Sequence, residues 1–169
     1  MYCLPVFGNV HGLSIYRDSK GRSARMTVTD CNTLQVLQNS VNRLITGARQ
    51  GVATVDLLRD TNSLSIQQMV AYYTLIMVHK ITRTGKPSYL AGKLRLRDES
   101  ERELRAWGGG TVETPNYTLE TSRAGFVYRG SKLYNSLSRS LREETSIARF
   151  KEGTKKWVKG GRLSMKKNI

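Results

Sequence analysis

Acidic residues, cysteine, histidine and long apolar runs are all scarce in this chain. Two cysteines, Cys3 and Cys31, cannot build a disulfide framework, and neither stands at zinc-ligand spacing from His11 or His79. Reduced thiols in an intracellular protein are the expectation. The sequence has no adjacent pair of aspartates and no Tyr-x-Asp-Asp, so these residues hold no two-metal polymerase centre. Gly85-Lys86 lacks the earlier glycine and the strand–loop–helix frame of a phosphate-binding loop. His79 stands alone on an expected helix, where a hydrogen-bonded structural histidine outweighs a base or a metal ligand. Asp56 and Asp60 read as a surface pair at a helix end, not as a carboxylate dyad. The longest apolar stretch, Met69–Val78, is far short of the ~20 residues that span a bilayer. Met1–Val10 has neither a basic start nor a sustained apolar run, so no secretory signal is visible. The expectation is a soluble or peripheral protein, nuclear or cytoplasmic, that is not an enzyme on its own. It uses no cofactor, no metal, no membrane and no small-molecule substrate.

What the chain does have is positive charge. Lys and Arg number 28 against 13 Asp and Glu, for a net +15 over 169 residues, and an excess of that size calls for nucleic acid or an anionic surface. Residues 121–169 carry 13 of the basic residues and three acids (Glu143, Glu144, Glu152), a net +10, which leaves +5 for the first 120. Hydrophobic residues at 38% supply enough material for a modest core.

Periodicity points to a mainly α fold with at most short strands. Tyr2–Gly8 is apolar but broken by Pro5, and Ser14–Thr29 reads as loop. From about Asn32, Leu34, Leu37, Val41, Leu44 and Ile45 recur at helix spacing, with amides and Arg43 on the other face and Gly47 as a stop. A short helix over Thr54–Arg59 follows. Ser65-Ile66-Gln67-Gln68 has capping-box spacing. It opens a long helix with Ile66, Met69, Val70, Tyr73, Ile76, Met77 and Ile81 on one face, ended by Gly85 and Pro87. Leu75, Tyr72 and Val78 make that helix apolar nearly all round, so it should be the most buried. Arg95–Arg105 alternates charge as a solvated face or loop. Gly108–Gly110 reads as a hinge and Thr111–Glu120 as an irregular linker. Phe126–Arg129 alternates like a short strand. Leu133, Leu137 and Leu141 suggest a helix over Ser131–Glu143, and a last helix from about Ser146 to Lys159 should bury Ile147, Phe150, Trp157 and Val158. The expected organisation is a helical domain over 1–107, a glycine/proline linker over 108–120 and a basic segment over 121–169.

On the last helix, Arg149, Lys151, Lys155, Lys156 and Lys159 fall opposite the apolar arc, interrupted by Glu152. Such a helix docks by its apolar side and offers ammonium groups to phosphates, with a steep salt dependence from counterion release. Arg123, Arg129 and Lys132 lie next to Phe126, Tyr128 and Tyr134, which could stack on unpaired bases. Arg43, Arg139 and Arg142 complete the candidate set. For Phe126, Tyr128, Tyr134 and Trp157 a core role is the stronger reading. A basic amphipathic helix also suits an anionic membrane; the narrow apolar face, and Gly153 at a cost of roughly 1 kcal/mol, rank that lower.

Leu34-Gln35-Val36-Leu37-Gln38-Asn39 followed by Arg43-Leu44-Ile45-Thr46-Gly47 resembles a stretch beyond the polymerase core of LINE-type (non-LTR, jockey-like) retrotransposon reverse transcriptases. Tyr2–Gly8, Lys86-Pro87-Ser88-Tyr89-Leu90 and the run from Phe126 through Trp157 resemble further blocks of that family, in the same order and over nearly the whole chain. Phe7, Tyr134, Ser138 and Gly153-Thr154 depart from the family pattern, as in a divergent or decaying copy. The resemblance implies that the catalytic palm and fingers lie upstream, and that the first helices form a thumb-like cluster gripping a template–primer duplex. It further implies that the C-terminal segment helps to bind RNA or target DNA, with the upstream polymerase domains as a further partner. The expected function is non-catalytic binding of an RNA or DNA backbone. The alternatives are a retrotransposon-derived structural or protein-interaction module and a non-functional remnant.

Overall fold

In the computed structural model the described residues are 16–17, 23–24, 28–97, 110–119, 123 and 125–160. They are mainly helical. Two short strands, β1 (Tyr16–Arg17) and β2 (Ser23–Ala24), pair antiparallel with Tyr16 opposite Ala24, inside the stretch expected as loop. The helices are α1 (Val28–Thr46), α2 (Thr54–Asp60), α3 (Ile66–Thr84), α4 (Ser88–Ala91), α5 (Phe126–Asn135), α6 (Arg139–Arg142) and α7 (Ile147–Lys159). Backbone packing divides the chain into two compact units, 1–70 and 71–169, with the boundary inside α3. The expectations for Tyr2–Gly8, for 98–109 with Gly108 and Gly109, and for the last nine residues lie outside the described residues.

In the first unit α1 ends at Gly47, which takes φ +66°, a conformation that favours glycine. The inward face of α1 is not the apolar one. Leu34, Leu37, Val41, Leu44 and Ile45 are exposed, Leu44 at 85%, whereas Asn39 and Asn42 are buried, Asn42 at 4%. Three of the amides find partners there, whereas Asn42 Nδ2 is buried without one. Gln35 Oε1 accepts from Ile66 N (2.9 Å), Gln38 Nε2 donates to Leu64 O (2.7 Å), and Asn39 Nδ2 donates to Thr54 Oγ1 (2.9 Å). These bonds tie α1 to the start of α2 and to the loop before α3, around the small core of Leu57 and Leu64. The capping box forms as expected: Ser65 N donates to Gln68 Oε1 (3.0 Å) and Gln68 N donates to Ser65 Oγ (3.3 Å).

In the second unit α3 buries Ala71, Thr74, Leu75, Val78, His79 and Ile81. This arc differs from the expected one, and Tyr73 stands exposed. A helix apolar on nearly every side carries no periodic signal for its inner face; neighbours decide it. One neighbour is α5. A Cβ on Gly130 would come within 3.0 Å of Val78 Cγ2, so glycine permits the close approach of α5 to α3. Phe126–Arg129 is helical, not a strand: α5 begins at Phe126 with Gly125 as its extended N-cap residue. Nor does one helix run to Glu143. Asn135 closes α5 by bonding both backbone groups of Val112 (2.9 Å and 2.8 Å), and Ser138 in extended conformation starts α6 afresh. The irregular stretch 111–119 is therefore packed, with Thr111 and Val112 buried and an isolated bridge between Leu96 and Val112.

Along α7 the buried residues are Phe150, Thr154 and Val158. Ile147, expected inside, is 42% exposed, and Trp157 is half-buried. Gly153 has a positive role: a Cβ there would fall 2.5 Å from Leu141 Cδ1, so its bare backbone makes room for the α6 side chain.

Candidate nucleic-acid interface

Packing of α7 through Phe150, Thr154 and Val158 leaves Arg149, Lys151, Lys155, Lys156 and Lys159 exposed on the remaining arc, together with Glu152. The helix thus presents five cations and one carboxylate to solvent. Its inner face is anchored by the His79 ring, which stacks on Phe150 at 3.7 Å between centroids and 8° between planes. His79 Nδ1 lies 3.2 Å from the Tyr134 hydroxyl, which donates to Arg142 O (3.2 Å). Burial, with the nearby Arg83 charge adding to it, lowers the His79 pKa to about 4, while Glu144 opposes. The ring is therefore neutral at physiological pH, and its stack on Phe150 and contact with the Tyr134 hydroxyl are those of a hydrogen-bonded core histidine.

A second cluster lies beside the N-terminal half of α5. Lys132 Nζ sits 4.9 Å from the centroid of the Tyr128 ring, a cation–π distance. Tyr117, from the irregular stretch, faces Tyr128 with centroids 6.3 Å apart, and Arg123 Nε donates to Tyr117 O (2.7 Å). The Lys132 ammonium, hydrogen-bonded to the phenol, lowers the Tyr128 pKa; desolvation opposes this, and the charges of Lys132 and Arg123 add to the lowering. Two half-buried tyrosine rings flanked by a lysine and an arginine can offer π faces and charge to a single-stranded segment.

The candidate residues therefore fall into separate settings. The five on α7 share one face; Arg123 and Lys132 meet at the tyrosine pair, and Arg129 is exposed on the same helix as Lys132. Arg139 is exposed and pairs with Glu143 at 2.6 Å. Arg142 is 7% exposed and does not share the surface of the others. Arg43 belongs to the first unit, half-buried on α1, with Nε lacking a hydrogen-bond partner. Tyr134 takes the core role that the sequence favours for it: at 1% exposure its ring is closed to a base, and its hydroxyl joins His79 to the Arg142 carbonyl. Phe126 is half-buried. Tyr117 escaped sequence reading, since a lone tyrosine in an irregular stretch has no periodicity to mark it.

Among the described residues no cluster of three or more His, Cys, Asp or Glu could hold a metal ion, and no helix is long and apolar enough to cross a membrane. Compared with protein-family models, curated proteins and solved structures, the chain matches none.

Proposed function

We propose that this chain is a non-catalytic nucleic-acid-binding part of a retrotransposon reverse transcriptase, holding the backbone of an RNA or DNA template–primer or target. The observation that carries the reading is the solvent face of α7, where Arg149, Lys151, Lys155, Lys156 and Lys159 stand opposite a buried Phe150–Thr154–Val158 seam. Cations on a helix anchored this way meet phosphates at little ordering cost, and each phosphate neutralised releases counterions. Such contacts position a strand without reading its sequence. The tyrosine pair beside Lys132 adds a surface for unpaired bases. The polymerase context rests on the resemblance of the sequence blocks, which also makes the catalytic domains the natural further partner and the nucleus or the cytoplasm the site of action.

The test is binding of a labelled RNA–DNA duplex over a salt series. The full chain should bind with a steep negative slope, and Lys151→Gln, Lys155→Gln and Lys156→Gln together should flatten it by about one per lysine. Absence of binding at low salt overturns the reading. A second reading, a protein-interaction module, is favoured by one observation: the exposed stripe of Leu34, Leu37, Val41, Leu44 and Ile45 on α1. A tight complex indifferent to salt would select it.

A further inference from the structure

Arg142 ends α6 as a buried cation. Arginine cannot lose its proton to escape burial, so its guanidinium needs acceptors or an opposite charge. Its Nε and Nη1 have no hydrogen-bond partner. Beside it, Thr82, Arg83, Leu96, Gly110, Tyr134 and Glu143 complete the lining of a cavity of about 140 Å³. At the share of volume a water takes in the liquid, that is room for roughly four or five heavy atoms.

The charge on this lining is uneven. Glu143 is its one carboxylate, and its Oε1 accepts from Arg139 Nε at 2.6 Å. That leaves Arg83 and Arg142 without a carboxylate of their own at the cavity. The protein itself holds them in place. Arg83 Nη2 donates to Arg142 O (3.3 Å) and Glu143 O (2.9 Å), and the Tyr134 hydroxyl donates to the same Arg142 carbonyl (3.2 Å). The backbone that carries the Arg142 guanidinium is thus fixed before any ligand arrives, which lowers the ordering cost of binding.

We propose that this cavity binds one tetrahedral oxyanion of the phosphate class, gripped by the guanidinium of Arg142, with the Arg83 guanidinium beside it as a second positive charge. A planar fork matches two oxygens of such an anion at once. A halide offers no such pair of acceptors. The assignment stands apart from the reading of α7. The phosphate group is either free, as orthophosphate or a terminal phosphate, or one phosphodiester of a nucleic-acid strand.

The experiment titrates the full chain with sodium phosphate and with sodium chloride at matched ionic strength, following the melting temperature and the Arg142 Nε–H NMR resonance. A third arm adds a short single-stranded oligonucleotide that lacks terminal phosphates. Expected are a phosphate-specific rise in melting temperature and a shift of that resonance. Arg142→Met keeps much of the side-chain volume and should weaken the effective anion by at least about tenfold. It should also melt higher than the wild-type chain in phosphate-free buffer, because an unpaired buried charge is gone. Lys155→Gln with Lys156→Gln should leave the orthophosphate response unchanged. Response to orthophosphate assigns a free phosphate group; response to the oligonucleotide alone, lost in Arg142→Met, assigns a phosphodiester. An Arg142 resonance that moves with neither overturns the proposal, even where Arg142→Met fails to fold. So does a phosphate response that survives the Met variant intact.

Discussion

Helices α1 and α7 are both amphipathic, yet they enter their units with opposite polarity. Helix α7 buries Phe150, Thr154 and Val158 and shows its cations to solvent, the usual arrangement of a surface helix. Helix α1 turns Gln35, Gln38, Asn39 and Asn42 inward and leaves six large apolar side chains outside. The difference lies in what each face meets. Around α1 the neighbours are the start of α2 and the loop into α3, where backbone groups at Leu64 and Ile66 need partners that amides can supply. Around α7 the neighbours are rings and aliphatic chains. Directed amide bonds fix register at about 1 kcal/mol each, whereas apolar burial gives most of the stabilisation. The first unit is therefore held in geometry more than in energy, and the second the reverse.

The sharpest way to break this contrast is Phe150→Ala. Phe150 is fully buried and stacked on His79, so truncation should cost about 3–5 kcal/mol in denaturant unfolding. A loss under about 1 kcal/mol, as expected of a surface site, would mean that α7 is not seated by its apolar side and that the lysine face has no fixed orientation.

Acid sharpens the contrast next, because the second unit holds a buried neutral histidine. The folded-state pKa of His79, about 4, lies below its ordinary 6.5, so the unfolded chain takes the proton first. The contribution is fully present above pH 6.5 and is lost as pH falls towards 4, by roughly 3 kcal/mol in total. Urea midpoints over this window should fall more steeply for the wild-type chain than for His79→Gln. Parallel curves would place the imidazole in water.

Much of this architecture is legible in the sequence where the signal is local. The capping box at Ser65 and Gln68, the stop at Gly47 and the cationic arc of α7 depend on residues a few positions apart, and each is as expected. The readings that failed depend on distant partners. Alternation over Phe126–Arg129 resembles a strand until Gly130 is seen to admit Val78, and the leucine series through Leu141 hides the break made by Asn135 gripping Val112. The inward face of α1 could not be read because apolar spacing assumes an apolar partner, and among the described residues the stripe meets none. At the candidate interface, charge density marked α7, while Tyr117 and the burial of Arg142 come only from tertiary packing.

Two substitutions on α1 test the unusual half of the comparison directly. Gln35→Ala removes the acceptor of Ile66 N–H at the head of α3, and leaving that donor unsatisfied should cost about 1–3 kcal/mol. Leu44→Gln, one of the most exposed positions on the same helix, replaces one good helix former by another and should change stability by less than about 0.5 kcal/mol. The pair inverts the ordinary rule that a leucine on an amphipathic helix matters more than a glutamine. Should Leu44→Gln instead cost the 2–5 kcal/mol or so typical of a core leucine, the apolar stripe is covered in the folded chain. The polar inward face would then be one of two buried faces rather than the only one. Should both substitutions be silent, α1 is held by neither face, and the exposed stripe is the surface with most to gain from a partner protein.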